Sequence, residues 1–364
     1  MISSRPRRPT PVDAVDPRLV VVNADPFNAE APLDEQMGLI TPNPTFYVRS
    51  NFNIPRIDAA EWRLRIEGTV ERPLTLSYDD LLAMPSRTVL VTLECAGNGR
   101  SGLNPPASGE PWQYHAVSTA EWTGVPLAAL LEKAGLQTRT REIVVEGQDR
   151  GTVATREGEI PFARALNLAK ALHRDTILAY AMNGEVLPVH HGFPARLLVP
   201  GWYGMASVKW VRQITAIDHA FDGYYQVERY IMAHPERGET HTVPLSTMRV
   251  RSLITEPVQG AGIGRAPYLV RGLAWSGGAP VARVEVSDDD GATWTQATFT
   301  SDPKLYAWRR WEYAWQPRAS GQVRLQSRAF DETGAGQPTE PEWNRLGYAN
   351  NAIQTIEVSV GDTA

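Results

Sequence analysis

The sequence predicts an α+β protein in which a mixed α/β domain is followed by an immunoglobulin-like β-sandwich. Strand-like and helix-like runs alternate from residue 47 to 218, whereas only strand-like runs follow residue 257. The 364 residues are also too many for one ordinary core, because domains usually hold roughly 100–200 residues. We therefore expect an irregular N-terminal arm over 1–39, a main domain over 40–253 and the sandwich over 254–364.

The first forty residues are rich in Pro, Asp and Asn and show little periodicity, which indicates an arm on the surface. Arg7 and Arg8 suggest a twin-arginine export signal. However, Pro9, Pro11 and Asp13 stand where such a signal needs roughly 7–15 apolar residues. No stretch of the sequence approaches the ~18 consecutive apolar residues of a membrane span. We therefore expect a cytoplasmic rather than a periplasmic protein that does not act at a membrane.

The main domain contains both strand-like and helix-like runs. Runs with strand-like composition occur at 62–67, 88–93 and 143–146. Runs with helix-like composition occur at 127–134 and 162–170. Residues 221–253 hold tyrosines and few periodic runs, so they indicate a long connection between two domains.

The last hundred residues show strand patterns only. Residues 281–286 place Val284 and Val286 on one face, with charged residues between them, and Asp290-Gly291 then predicts a turn. Residues 323–329 repeat the alternation. Several short strands separated by turn signals are typical of an immunoglobulin-like sandwich.

Composition excludes several classes of protein. With 42% hydrophobic and 21% charged residues, the chain has the composition of a globular protein rather than a disordered one. A net charge of −5 argues against a nucleic-acid partner, since such proteins normally present a basic face. A single cysteine cannot form an intramolecular disulfide.

That cysteine, Cys95, ends a predicted strand and precedes a glycine-rich turn over 96–100. A lone cysteine is most often a small buried hydrophobic residue. A thiolate is also a soft metal ligand, and Arg100 would favour the thiolate form. The residues alone therefore leave open a packing role, a metal ligand and, with a histidine, the nucleophile of a hydrolase.

A series of short motifs resembles one known family. Residues 93–100, LECAGNGR, resemble the cysteine segment of the sulfite oxidases and of the molybdenum domain of eukaryotic nitrate reductases. Further motifs follow in the family's order: 118–122 (STAEW), 179–184 (AYAMNG), 191–196 (HGFPAR), 199–201 (VPG), 207–210 (SVKW), 274–278 (AWSGG) and 343–344 (WN). Each motif alone is weakly specific, but their shared order covers nearly everything beyond residue 45.

The resemblance implies a sulfite-oxidase-type molybdopterin-binding domain over 40–253 and a dimerisation domain in the sandwich. It implies molybdenum held by the dithiolene of molybdopterin, with Cys95 as the protein's thiolate ligand and no haem in this chain. The family's cofactor contacts fall on Tyr47, Val48, Arg49, Ser50, Asn51, Asp149, His191, Arg196, Ser207, Val208 and Lys209. These residue types suit molybdopterin. Arg196 and Lys209 can bind its phosphate, and Asp149 and His191 can form hydrogen bonds with its pterin ring.

The resemblance also implies a pocket for a small oxyanion, lined by Arg49, Arg100, Trp112 and Tyr230. Two guanidiniums can hold an anion in an acidic protein, because each contact at about 4 Å is worth roughly 4 kcal/mol at an effective dielectric near 20, before desolvation. Tyr230 would donate its hydroxyl hydrogen and orient the substrate.

Three positions depart from the family's pattern. Asn51 stands where animal and plant members have histidine, and His115 stands where a glycine is usual. The arginine that the family has near the end of the β domain is displaced by one, to Arg345, and Leu346 takes its place. These departures bear on the identity of the substrate rather than on metal binding.

The implied function is oxidation of sulfite to sulfate by oxo transfer, with electrons passed singly to a separate acceptor such as a cytochrome. Reduction of nitrate or an S-oxide on the same cofactor is the near alternative. A cysteine-dependent hydrolase and a structural binding protein are alternatives from other classes. We also expect a homodimer.

Overall fold

The computed structural model describes residues 14–33, 38–236 and 239–361. The strands of the arm and the main domain are β1 Val20–Ala24, β2 Phe27–Glu30, β3 Arg63–Gly68, β4 Leu74–Ser77, β5 Arg87–Glu94, β6 Val117–Pro126, β7 Glu142–Thr152, β8 Glu159–Asn167, β9 Ile177–Met182, β10 Glu185–Val186, β11 Arg196–Leu198 and β12 Val211–Ile217. The α-helices of the described chain are α1 Tyr78–Leu82, α2 Leu127–Ala134, α3 Leu168–Ala171 and α4 Tyr224–Val227.

Two sheets form the main domain. The first has the order β10-β9-β6-β5, with β11 also paired to β9, and the second has the order β4-β3-β12-β7-β8. Helix α2 spans the predicted residues and buries Leu127, Leu130, Leu131 and Ala134. That spacing is the one expected of an amphipathic helix packed on a core. The domain is therefore α+β, as the sequence predicts, although its helices are short.

The prediction of a helix over 162–170 is wrong. Most of this segment is strand β8, which pairs antiparallel with β7, and only Leu168–Ala171 are helical. Helix-forming residues such as Ala163, Ala165 and Leu166 are all buried in the strand. Burial and pairing outweigh intrinsic propensity here, since propensity is a weak prior.

The arm is more regular than the sequence suggests. Strands β1 and β2 form an antiparallel hairpin, and Ala29 pairs with Val48 of the main domain in an isolated bridge. The segment from Arg7 to Asp13, predicted to be part of a proline-rich arm rather than an export signal, lies outside the described residues. The hairpin places Asn28 and Glu30, both buried, against the main domain.

The connection over 221–253 also contains regular structure. Helix α4 is followed by β13 Ile231–Glu236 and β14 Glu239–Pro244, which pair as an antiparallel hairpin. The first strand of the next domain, β15 Arg251–Glu256, begins ahead of the boundary predicted at residue 254.

The remaining strands of the second domain are β16 Gly262–Gly264, β17 Tyr268–Trp275, β18 Val281–Ser287, β19 Thr295–Gln296, β20 Thr298–Phe299, β21 Arg309–Trp315, β22 Gly321–Asp331 and β23 Gln354–Gly361. They form two sheets with the orders β15-β17-β21-β20 and β16-β23-β22-β18-β19. Val284 and Val286 are buried in the core between the sheets, as their alternation predicts. The β-sandwich architecture is thus the predicted one.

The two domains share a continuous apolar core. Leu253, Leu273, Trp275 and Trp308 of the sandwich belong to the same buried cluster as the main domain's sheets. This packing brings the end of the chain, around Tyr348, against the main domain. None of the described helices has the length and apolar character needed to cross a bilayer.

Candidate active site

Two cavities meet at Cys95. The larger encloses about 630 Å³ and the smaller about 320 Å³, within the range of roughly 300–1,000 Å³ typical of small-molecule sites. Arg49, Cys95 and Tyr230 line both cavities. A ligand in the larger cavity would therefore lie next to a small molecule in the smaller one.

Cys95 follows the last residue of β5 and is held by its backbone. Its N–H donates to the carbonyl of Ala116 at 2.8 Å, and its carbonyl accepts from Asn98 at 2.9 Å. Burial raises the pKa of the Cys95 thiol, and the charges of Arg49 and Arg100 partly oppose that rise. Within the described residues, no group of three or more His, Cys, Asp or Glu side chains could hold a metal ion. A metal bound here would need most of its ligands from a cofactor.

The larger cavity carries buried cations. Arg196 donates to the carbonyls of His191 at 3.1 Å and Ser207 at 3.0 Å, and burial lowers the pKa of Arg196 to about 10. Lys209 donates through Nζ to Ser50 Oγ at 3.1 Å and to the carbonyl of His190 at 2.9 Å. Burial also lowers the pKa of Lys209 well below its ordinary value. An anionic ligand would relieve this cost of buried positive charge.

Two other side chains of this cavity can accept hydrogen bonds. Asp149 is 4% exposed, and its Oδ1 has no hydrogen-bond partner in the described chain. Burial raises the pKa of Asp149 to about 7, although Lys209 opposes the rise. His191 Nε2 lies 3.2 Å from the carbonyl of Asn43, so it donates and leaves Nδ1 as an acceptor. Burial keeps His191 neutral by lowering its pKa well below the ordinary value.

Arg100 borders the smaller cavity and is seated by backbone carbonyls. It donates through Nη1 to the carbonyl of Glu110 at 2.6 Å and through Nε to the carbonyl of Leu346 at 3.2 Å. Gly347 has φ +63°, and a Cβ there would lie 2.8 Å from Arg100 Cγ. Only glycine suits this backbone conformation and this close approach.

Asn51 links two side chains at the junction of the cavities. Its Oδ1 accepts from Arg49 Nη2 at 2.8 Å and from the Tyr230 hydroxyl at 3.2 Å. Arg49 also donates to Asn28 Oδ1 at 3.1 Å and to the carbonyl of Ser50. The cation and the phenol are therefore held in a fixed relation to each other.

A buried ion pair lies directly behind Cys95. The neighbouring carboxylate, Glu94, accepts from Arg251 Nη1 and from Trp275 Nε1, both at 2.9 Å. The Glu94 and Arg251 side chains are 2% and 1% exposed. Because Arg251 begins the sandwich, this pair ties the second domain to the segment that carries Cys95.

The structure brings most of the predicted site residues to the two cavities. Those that line one or both are Tyr47, Arg49, Ser50, Asn51, Cys95, Arg100, Trp112, Asp149, His191, Arg196, Ser207, Lys209 and Tyr230. Val48 and Val208 line neither of them; their side chains are buried in apolar clusters. The residues on either side of each valine, Tyr47 and Arg49 or Ser207 and Lys209, do line the larger cavity.

Sequence reasoning missed several residues of the site, of which four bear on its chemistry. Trp210, which is buried, also lines the larger cavity. Arg229 and Tyr348 line the smaller one, and Asn28 holds Arg49. Arg229 was findable as the charged neighbour of Tyr230, whereas nothing local marks Tyr348 or Asn28.

The three unusual positions have different surroundings. Asn51 lies at the junction of the cavities. His115 donates its backbone N–H to Glu30 at 3.3 Å, and burial, with the charge of Arg251, lowers its pKa to about 4. Leu346 is buried, while the displaced Arg345 is exposed and lines neither cavity.

Comparison with known proteins identifies both domains. Residues 51–225 match the oxidoreductase molybdopterin binding domain, and residues 243–361 match the Mo-co oxidoreductase dimerisation domain. Mitochondrial sulfite oxidase of Rattus norvegicus is 35% identical over 94% of this chain, which spans 66% of that protein. NADH nitrate reductase of Solanum lycopersicum is 33% identical over 92% of this chain, which spans 40% of that protein.

A solved structure is also similar over nearly the whole chain. The sulfane dehydrogenase SoxCD from Paracoccus pantotrophus superimposes with a TM-score of 0.80 at 30% identity. The match covers 99% of this chain and 92% of the SoxCD chain.

Proposed function

This chain belongs to the sulfite oxidase family of molybdopterin-dependent oxidoreductases, and on that premise we propose that it oxidises sulfite to sulfate. The reaction consumes SO₃²⁻ and water and yields SO₄²⁻, two protons and two electrons. The electrons pass singly to a separate acceptor such as a cytochrome. The observation that carries the proposal is the position of Cys95, where a deep cationic cavity meets a smaller arginine-lined one.

The larger cavity fits a molybdopterin. Its unpaired Asp149 Oδ1 and the acceptor nitrogen of His191 suit the N–H groups of a pterin. Arg196 and Lys209 supply positive charge for the phosphate. Cys95 would be the protein's ligand to the metal, which when bound supplies oxygen-atom transfer and accepts two electrons.

The smaller cavity would hold and orient the substrate anion. Arg49 and Arg100 provide positive charge on two sides, and their hydrogen bonds to protein oxygens keep them in place before substrate binds. Such preorganisation avoids reordering during the reaction. Tyr230 donates to Asn51 in the free site, so its hydroxyl hydrogen would turn from Asn51 to a substrate oxygen.

A reduced sulfur compound is the second candidate substrate, because the SoxCD structure is similar over 99% of the chain and is described as a sulfane dehydrogenase. Reduction of nitrate is the third, because a nitrate reductase is 33% identical. All three use the same cofactor. Reduction of the metal by sulfite or by a reduced sulfur compound would support oxidation of that compound. Reoxidation of the reduced metal by nitrate would support nitrate reduction.

We propose that the second domain forms a homodimer, because residues 243–361 match a dimerisation domain. The cytoplasmic location expected from the sequence is also retained as a proposal, and cell fractionation would test it. Neither proposal depends on the identity of the substrate.

The experiment is sulfite-dependent reduction of an artificial one-electron acceptor by protein produced with molybdate. Cys95→Ser is the matched variant, because serine keeps the size of the side chain and removes the soft sulfur ligand. We expect turnover by the native chain and loss of turnover in the variant, even where the cofactor keeps molybdenum in the site. A native chain that holds molybdenum but leaves sulfite unoxidised would refute sulfite as the substrate. Equal sulfite turnover by both proteins would refute the role of Cys95.

A further inference from the structure

The arginines of the smaller cavity differ in what they bind. Arg100 donates through Nε and Nη1 to the carbonyls of Leu346 and Glu110, and Arg49 donates through Nη1 and Nη2 to side-chain and backbone oxygens. The third, Arg229, lines the same cavity and is half-buried. Its guanidinium has no hydrogen bond or ion pair with any residue in 14–33, 38–236 or 239–361. Arg229 therefore has all its donors available to a ligand.

Tyr348, from the second domain, lies beside Arg229. Its ring stacks on the Tyr230 ring, with the two centroids 5.0 Å apart. The guanidinium carbon of Arg100 also lies over the Tyr348 ring, 5.2 Å from its centroid. Burial raises the pKa of Tyr348 to about 12, and the charges of Arg229 and Arg100 oppose that rise. Its hydroxyl has no hydrogen-bond partner in the described chain, although the side chain is 2% exposed. The phenol is thus a second uncommitted donor on this wall.

The charge of the cavity depends on Arg229. Apart from the metal site at Cys95, the charged residues that line the cavity are three arginines and one carboxylate, Glu110, so their formal charge sums to +2. Without Arg229 the formal charge would be +1. The Glu110 carboxylate already accepts one hydrogen bond, from Asn23 Nδ2 to Glu110 Oε1 at 3.2 Å. A doubly charged anion would balance the native cavity, whereas a singly charged one would leave a buried cation without compensation.

We propose that Arg229, together with the Tyr348 hydroxyl, selects doubly charged oxyanions over singly charged ones in this cavity. This inference deepens the proposed function: it rests on the assignment of the cavity to substrate and names the charge class that it takes. Sulfite and sulfate as dianions would bind, and nitrate would be disfavoured. Arg49 and Arg100 would hold the anion next to Cys95, while Arg229 contributes the second unit of charge.

The test is calorimetric binding of sulfate and of nitrate to the oxidised, molybdenum-loaded protein at fixed ionic strength. Neither anion is consumed by the oxidised protein, so binding is measured without turnover. In Arg229→Gln we expect the Kd for sulfate to rise about tenfold or more, as for the loss of a charged hydrogen bond. The Kd for nitrate should change by less than about threefold, because the remaining charge still balances a monoanion.

Three further variants separate the effect of the charge from that of the hydroxyl and provide a control outside the cavity. Arg229→Lys keeps the charge and should retain most of the preference for sulfate. Arg345→Gln removes an exposed arginine near the same wall that does not line the cavity, so both Kd values should stay unchanged. Tyr348→Phe keeps the stacked ring, removes only the hydroxyl, and should weaken sulfate binding by a few-fold. It tests the same wall if Arg229→Gln does not fold.

The outcomes separate this inference from the proposed function. Equal weakening of sulfate and nitrate in Arg229→Gln, or an equal effect in Arg345→Gln, would overturn the inference. Loss of the sulfate preference in Arg229→Gln alone would support it, even if the native chain failed to oxidise sulfite. Sulfite turnover with an Arg229→Gln variant that still prefers sulfate would overturn the inference and leave the proposed function intact.

Discussion

Asn51 is hydrogen-bonded both to a cation of the site, Arg49, and to its phenol, Tyr230. Its single amide oxygen accepts from Arg49 and from Tyr230, so one side chain positions both the charge and the phenol. Asn51 also lines the larger cavity. In the sequence it was predicted as a cofactor contact and noted as a departure from the family pattern, whereas its contacts also give it a positioning role.

For single residues, we predict that Tyr230→Phe lowers kcat about 100-fold with unchanged molybdenum content, because the variant removes one positioned proton donor. Asn51→Ala should lower kcat by about tenfold, since the phenol is then less well oriented. The double variant should be slower than Tyr230→Phe by less than about tenfold, because part of the effect of Asn51 acts through the phenol and only the part through Arg49 remains. Steady-state kinetics and metal analysis measure this. Additive losses would show that Asn51 acts independently of the phenol.

The arm hairpin is the element with the largest unexpected role. Its strand β2 carries Asn28, which accepts from Arg49, and ends at Glu30, which accepts from the backbone of His115. Burial raises the pKa of Glu30 to about 7, and its backbone hydrogen bonds only partly oppose the rise. A segment with the composition of a loose arm therefore helps to build the site.

The hairpin leads to a prediction about pH. Glu30 in the unfolded chain titrates near pH 4.3, below its pKa of about 7 in the fold. Its contribution to stability is therefore complete below about pH 4 and is lost as the pH rises to about 7. Glu30→Gln should flatten the fall in Tm of the native chain between pH 5 and pH 7.5. Calorimetric scans at constant ionic strength measure it.

Glu132→Gln, which alters an exposed glutamate of α2, is the matched control and should keep the native slope. The same slope in Glu30→Gln as in the native chain would contradict the assignment. The prediction concerns only the slope with pH, so a uniform loss of Tm in either variant does not bear on it.

At the scale of the whole molecule, the pair of Glu94 and Arg251 couples the domains next to the metal-ligand candidate. Arg251→Met should destabilise the protein by about 3–5 kcal/mol, because it leaves Glu94 charged and buried without its partner. Thermal unfolding should show a large fall in Tm. Glu94→Gln combined with Arg251→Met should recover part of the loss, since no uncompensated charge remains. A double variant as unstable as Arg251→Met would exclude this explanation.

Assembly is the other property at this scale. We predict a dimer with twice the chain mass of 40.2 kDa, formed through the domain over 243–361 that matches a dimerisation family. Sedimentation velocity at micromolar concentration measures the mass. A monomer under these conditions would contradict the prediction.

The sequence by itself determined the family, the two-domain architecture and the residues that recur in local motifs. Cys95, Arg196 and Lys209, which line the larger cavity, were predicted as site residues because each lies in a short sequence motif. The strands of the sandwich could be predicted because the alternation of apolar and polar residues along a strand depends only on adjacent positions. Such features need no knowledge of distant contacts.

Only the tertiary structure decided the rest of the site. It made residues 159–167 a strand because β7 was available to pair with them, and it brought Tyr348 of the second domain against Tyr230 of the first. It also showed which arginine is uncommitted, since Arg100 donates to the carbonyls of Glu110 and Leu346 and the Arg229 guanidinium donates to no described residue. These properties arise from contacts between residues far apart in the chain, and no local pattern encodes such contacts.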